Sequence, residues 1–154
     1  MDALTPSGED PFAPDVQAVL ERHFDLMRSL TPEEGCHVIQ PQRFAAEGAT
    51  LMGIRCNGVL LGIGALKKIA PDHGELKSMH TLSEARSQGV ARAMLLALIA
   101  KAREAGLTRL SLETGTAPEF SPARSLYLSK GFAECPPFAD YKPYPLSIYM
   151  TRTL

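Results

Sequence analysis

Asn57-Gly58 stands between two apolar runs, Thr50 to Cys56 and Val59 to Ile69, and a two-residue Asn-Gly link in that setting specifies a tight hairpin. The return run ends at Pro71-Asp72-His73-Gly74, a second turn signal, after which Glu75 to Leu82 reads as a third strand. Three strands joined by short turns make an antiparallel meander. The hydrophobic period then changes from two to about 3.6 residues. Ala91, Met94, Leu95, Leu98, Ala102 and Ala105 form an apolar stripe on a long helix that Gly106 would end. A chain that lays down a meander and covers it with a helix is committed to a mixed α/β domain.

The flanking segments fit the same plan. Val16, Val19, Leu20, His23, Met27 and Leu30 fall at helical spacing, with Asp15 placed to cap the helix and Pro32 to bar its continuation. Residues 1–14, rich in proline, glycine and acid, read as a loose lead-in with room for a short strand, and residues 15–154 as one domain. Gln40 to Ala46 has the composition of one helical turn. Downstream, Leu107 to Glu113 is a short strand, and Ser121-Pro122 supplies a cap and a first-turn proline for a helix that stops at Gly131. Phe132 to Cys135 and Ser147 to Thr153 are the last strands, joined by the proline-rich stretch Pro136 to Leu146.

Charge and cysteine usage remove several function classes. Sixteen Lys and Arg against seventeen Asp and Glu leave a formal net charge of −1, so there is no basic excess to hold a nucleic-acid backbone. Cys36, Cys56 and Cys135 are odd in number and widely spaced, which fits no disulfide framework or C-x-x-C site. His23, His37, His73 and His80 are equally scattered. Cys36 and His37 are adjacent, and adjacent residues rarely converge on one ion, so no metal is expected. Met1 to Asp10 is acidic and polar, unlike a signal peptide. Val59 to Leu66 is too short to span a bilayer and contains Gly62 and Gly64. These features predict a cytoplasmic protein with neither a membrane nor a nucleic acid as partner.

The segment Arg86-Ser87-Gln88-Gly89-Val90-Ala91-Arg92 follows a strand and opens a helix. Its N–H groups therefore lie at a positive helix terminus, which attracts phosphate oxygens. Gly89 permits close backbone approach, Ala91 keeps the next turn clear, and Arg86 and Arg92 add charge. A plain surface loop entering an amphipathic helix is the alternative. No G-K-[ST] follows, so the segment is not a P-loop, and the G-x-G-x-x-G spacing of a dinucleotide site is absent.

The order of elements around this segment resembles the GNAT superfamily of acyl-CoA-dependent N-acyltransferases. Arg86, Gly89 and Ala91 match the family's pyrophosphate signature [QR]-x-x-G-x-[GA]. Ala123, Leu126, Tyr127, Gly131 and Phe132 match a second signature, A-x-x-L-Y-x-x-x-G-F. Gly74 to Met79, Leu112 to Gly115 and Pro137 to Tyr141 are similar to the G-E-[IL]-K-S-M, L-E-T-G and P-F-x-D-Y segments of a small bacterial subset. Phe120 departs from the pattern: it stands where family members often carry an asparagine that contacts the cofactor.

The resemblance implies a mostly antiparallel sheet of six to seven strands flanked by helices, with splayed central strands and acetyl-CoA as co-substrate. It implies that main chain around Met79, His80 and Thr81 handles the thioester carbonyl and pantetheine, and that residues 86–92 hold the pyrophosphate. Glu75 falls where the family's histone-acetylating members carry a catalytic glutamate, and Tyr127 fits the tyrosine that protonates the leaving thiolate. Strict alternation would place Glu75, Lys77, Met79 and Thr81 on one face of their strand. The alternatives are an exposed Glu75 paired with Lys77 or Lys68, and a Tyr127 that only packs. Glu113 is a reserve base or an acceptor contact, and His80 reads as a packed histidine. Phe138, Asp140 and Tyr141 offer an apolar wall beside a carboxylate, suited to a small amine. The expected reaction is direct acetyl transfer to a small-molecule primary amine in a ternary complex, because no cysteine sits in a motif for an acyl-enzyme. Transfer to a protein N-terminus or lysine, use of a longer acyl chain, and a non-catalytic acyl-CoA sensor are the rivals, and a homodimer is left open.

Overall fold

The computed structural model describes residues 4–32 and 37–154, so Cys36 lies outside the described residues. The chain runs β1 (Pro6–Gly8), α1 (Pro14–Leu30), β2 (Ala49–Cys56), β3 (Val59–Ala70), β4 (His73–Thr81), α2 (Val90–Glu104), β5 (Arg109–Gly115), α3 (Ser121–Ser129), β6 (Ala133–Cys135) and β7 (Ser147–Thr153). One seven-stranded sheet takes the order β1-β2-β3-β4-β5-β7-β6. Neighbours are antiparallel except β4 and β5, because the helical crossover through α2 returns the chain in the same direction. The lead-in is therefore partly built: Pro6, Ser7 and Gly8 pair with Ile54, Gly53 and Met52.

Asn57 and Gly58 both adopt positive φ, as the hairpin turn requires. Gly62 and Gly64 of β3 let α2 settle close on the sheet. A Cβ at Gly64 would fall 2.7 Å from Met94 Cγ, and one at Gly62 would fall 2.8 Å from Val90 Cγ1. Met94, Leu95 and Leu98 are buried there with Leu66, Leu76 and Leu110. Fully burying side chains of this size is worth about 1.5–3 kcal/mol each, the chief source of stability in such a core.

Two helix starts differ from the sequence reading. Ala13, not Asp15, is the N-cap of α1. Asp15 lies in the first turn and accepts a 2.6 Å hydrogen bond from Arg55, which also grips Glu9 and ties the lead-in to the sheet. Ser121 is the first residue of α3 rather than its cap, because a 3₁₀ turn at Pro118–Phe120 runs directly into the helix. The turn expected in 40–46 is a short 3₁₀ segment at Pro41–Arg43.

Strand β4 is kinked. Ile63 pairs with His80 and Ala65 with Lys77, so Ser78 and Met79 together oppose the single residue Gly64. Ser78 takes φ 55°, and its buried hydroxyl has no hydrogen-bond partner among the described residues. This β-bulge inverts the alternation. Glu75 and Lys77 share the α1 side of the sheet with His80, whereas Met79 turns to the α2 side, where its sulfur lies close to the Gly64 position. The expectation that Glu75, Lys77, Met79 and Thr81 share one face is corrected accordingly.

Candidate active site

Strands β4 and β5 pair only from His73–Arg109 to Leu76–Leu112. Beyond that point β4 continues to Thr81 and β5 to Gly115 without pairing, so their edges diverge and leave main-chain groups facing a gap. The gap opens into a cleft of about 810 Å³ whose walls include α1, the bulged half of β4, the start of α2, the end of β5 and α3.

One end of the cleft is the turn into α2. Ser87 and Gly89 have φ of 63° and 83°, and a Cβ at Gly89 would meet only Leu4 Cδ1, at 3.9 Å. The first helical bond across this junction runs from Ala93 N to Gly89 O, so the preceding N–H groups of the first turn have no carbonyl one turn back. Successive amides in such a turn form an anion-binding concavity, and the helix dipole reinforces it. Arg86, Ser87, Gly89, Val90, Ala91 and Arg92 line the cleft; Gln88 does not.

The other end is a polar cluster. Glu75 is only 3% exposed, and its Oε2 accepts a 2.5 Å hydrogen bond from the Tyr141 hydroxyl. Lys77 Nζ donates to that hydroxyl at 2.8 Å and lies 3.4 Å from Glu75 Oε2. Glu113, at the far side of the gap, accepts from Ser147 Oγ at 3.0 Å and pairs with His37 Nδ1 at 2.9 Å. Desolvation, with Glu75 and Glu113 nearby, pushes the Tyr141 phenol well above its ordinary value, so it remains a neutral donor. The carboxylate of Glu75 is thus paired with Lys77, as one alternative had it, but inside the cleft wall rather than on the surface.

Tyr127 reaches the cleft from α3. It is 6% exposed, its ring packs edge-on against Phe132 at 5.8 Å, and burial pushes its pKa up to about 12. Its hydroxyl has no hydrogen-bond partner among the described residues, leaving a neutral donor available to the cleft.

Sequence reasoning missed a pair of imidazoles. His23 Nδ1 of α1 lies 3.1 Å from His80 Nδ1 of β4, and both rings line the cleft. Desolvation lowers them to about 3 and about 4, so both are neutral and one donates to the other. The helical spacing of His23 marked it as buried, but nothing local linked it to His80. His37 and Ser147 were missed for the same reason.

Two expected acceptor residues fall elsewhere. Asp140 is exposed and does not line the cleft. Phe138 packs edge-on against Tyr141 and Tyr149 at 5.1 and 6.0 Å, a support behind Tyr141 rather than a wall. The loop folds back so that its aromatic residues cover one another, leaving Tyr141 as the one of the three that enters the cleft. Phe120 does line it, its ring seated where a Cβ on Gly115 would be only 2.3 Å away. Among the described residues no group of three His, Cys, Asp or Glu is placed to hold a metal ion, and no helix is long and apolar enough to cross a membrane.

Comparison with known proteins agrees with this architecture. Residues 16–132 match the model of the Acetyltransferase (GNAT) family. The chain is 40% identical over 146 residues to YedL, an uncharacterized N-acetyltransferase of Escherichia coli, covering 95% of this chain and 92% of that protein. It is 32% identical over 156 residues to an IAA acetyltransferase of Azospirillum brasilense, covering the whole of both. Among solved structures, a GNAT family acetyltransferase from Elizabethkingia anophelis with acetyl-CoA bound superposes with a TM-score of 0.73 over the full length of both chains, at 17% identity. The seven-stranded mixed sheet that splays between β4 and β5 is the fold shared with that acetyltransferase structure. The chain belongs to the GNAT family and is an N-acetyltransferase.

Proposed function

We propose that this enzyme moves the acetyl group of acetyl-CoA to a primary amine of a small molecule by direct attack in a ternary complex. The observation that carries the reading is the meeting of Glu75, Tyr127 and the 86–92 cradle in one cleft where β4 and β5 part. The open space at Gly89 and the unpaired first-turn amides suit a pyrophosphate, with Arg86 and Arg92 adding charge. Main chain of Met79, His80 and Thr81, on the β4 edge that β5 leaves unpaired, suits the thioester carbonyl and the pantetheine amides.

Glu75 takes the ammonium proton, directly or through the Tyr141 hydroxyl that already bonds to it. The free amine then attacks the thioester carbon. Tyr127, neutral at any working pH, donates to the sulfur as the carbon–sulfur bond breaks, and the second proton shed by the attacking nitrogen as the intermediate collapses restores the phenol. Glu113, His37 and Tyr141 border the space left for the acceptor. The name of the Azospirillum relative, an acetyltransferase of IAA, supports a small molecule over a protein amine.

The test is a panel of small primary amines with acetyl-CoA, following release of the CoA thiol. Turnover with intersecting initial-velocity lines supports direct transfer. Parallel lines would indicate an acyl-enzyme, and turnover confined to peptide amines would replace the acceptor class.

A further inference from the structure

The buried carboxylate and phenol oxygen that would receive an acceptor's proton already hold one of the chain's own amines. Lys77 Nζ lines the cleft on the same side of β4 as Glu75, one residue before the Ser78–Met79 bulge. Its side chain is 10% exposed, and it is hydrogen-bonded to Tyr141 at 2.8 Å. We propose that Lys77 is a self-acetylation site, and that acetyl-CoA bound without an acceptor slowly transfers its acetyl group to Lys77 Nζ. This rests on reading the cleft as the acetyl-CoA site.

The contacts supply a complete proton path. Lys77 donates an ammonium proton to the Tyr141 oxygen while the Tyr141 hydroxyl proton passes to Glu75 Oε2, across the 2.8 and 2.5 Å hydrogen bonds. The neutral Nζ attacks the thioester carbon, a carbon–nitrogen bond forms and the carbon–sulfur bond breaks. The second nitrogen proton leaves as the intermediate collapses and is matched by protonation of the thiolate, giving CoA and an amide. The proton on Glu75 returns to water. Because an amide does not pass its acetyl group on to an amine, the product is a stopped enzyme. Acetyl-Lys77 has lost its charge, leaves Glu75 without its cation and adds bulk where an acceptor would bind. The external acceptor competes for the same thioester, so the modification acts as a brake when acceptor is scarce.

The experiment incubates the purified full-length chain with acetyl-CoA alone and follows each lysine by peptide mass mapping, with thermal melting in parallel. Lys77 should be acetylated at least roughly a hundredfold faster than the exposed Lys68 and Lys142, as expected for a positioned intramolecular amine. Excess CoA should slow labelling of Lys77 and leave labelling at Lys68 and Lys142 unchanged, and Gly89→Glu should do the same. Tyr141→Phe, which interrupts the relay, should slow Lys77 alone. A melting temperature raised by acetyl-CoA with Lys77 unmodified, or modified no faster than Lys68, overturns the self-acetylation and leaves the cofactor reading intact. No rise in melting temperature overturns both.

Discussion

Tyr141 follows Glu75 by 66 residues, yet its hydroxyl donates to Glu75 Oε2 at 2.5 Å and accepts from Lys77 at 2.8 Å. One side chain of the proline-rich loop therefore completes the hydrogen bonding of a carboxylate and an ammonium buried on β4. Buried charges are costly unless paired and fully hydrogen-bonded, so the loop and the strand stabilise each other.

Tyr141→Phe removes both bonds and leaves two buried polar groups short of a partner. The expected loss is about 1–3 kcal/mol, the usual cost of leaving such groups unsatisfied. Turnover should fall with it, since Glu75 loses its fixed orientation. Urea unfolding and steady-state kinetics on the same preparations check this; an unchanged unfolding midpoint would mean the hydroxyl is dispensable.

Tyr127→Phe makes the opposite separation. Its hydroxyl has no hydrogen-bond partner among the described residues, so removing it should change stability little. If the phenol serves the leaving sulfur, kcat should fall by roughly 10²- to 10⁴-fold with acetyl-CoA affinity nearly constant. A pKa near 12 also means that the native enzyme should show no alkaline loss of activity from this group below about pH 11. Equal kcat in the variant would make Tyr127 a packing residue.

The imidazole pair sets an acid limit. His23 and His80 titrate near 3 and 4 in the folded protein, against 6.5 when free. Below pH 6.5 the unfolded chain takes up protons that the folded chain refuses, so stability is lost as pH falls from about 6.5 toward 4. The slope approaches about 1.4 kcal/mol per pH unit for each imidazole. Replacing both with glutamine keeps side-chain hydrogen bonding and removes the titration. Urea unfolding at pH 7, 6 and 5 should give a flatter dependence for the double variant, and identical slopes would show that the pair is not the sensor.

What could be read from sequence follows from the range of each signal. The Asn57-Gly58 hairpin, the α2 stripe and the Arg86-to-Ala91 turn into a helix are encoded within a few neighbouring residues, and all three elements stand where spacing placed them. The bulge at Ser78 is encoded by no glycine or proline, so period-two alternation carried straight through it and put Met79 on the wrong side. Tyr141 on Glu75, His37 on Glu113 and His23 on His80 join residues 57 to 76 apart in the chain. Such pairings are fixed by the sheet order and the path of the loops, which no local pattern records. Asp140 failed differently: one residue from Tyr141, it faces solvent because the aromatic residues of the loop pack on one another.

Gly89→Glu isolates the cradle from the fold. At φ 83° a non-glycine residue costs about 1–2 kcal/mol, but the site has room: an added Cβ would meet only Leu4 Cδ1, at 3.9 Å. A carboxylate at a helix N-terminus returns about 0.3–1 kcal/mol through the dipole and the free first-turn amides. The two effects oppose each other, so the melting temperature without ligand should drop only slightly. The same carboxylate repels a pyrophosphate and occupies the amides that would bind it. Acetyl-CoA should therefore raise the melting temperature of the native protein by mass action and leave that of the variant unmoved. A ligand-induced shift of equal size in both would place the pyrophosphate somewhere other than the start of α2.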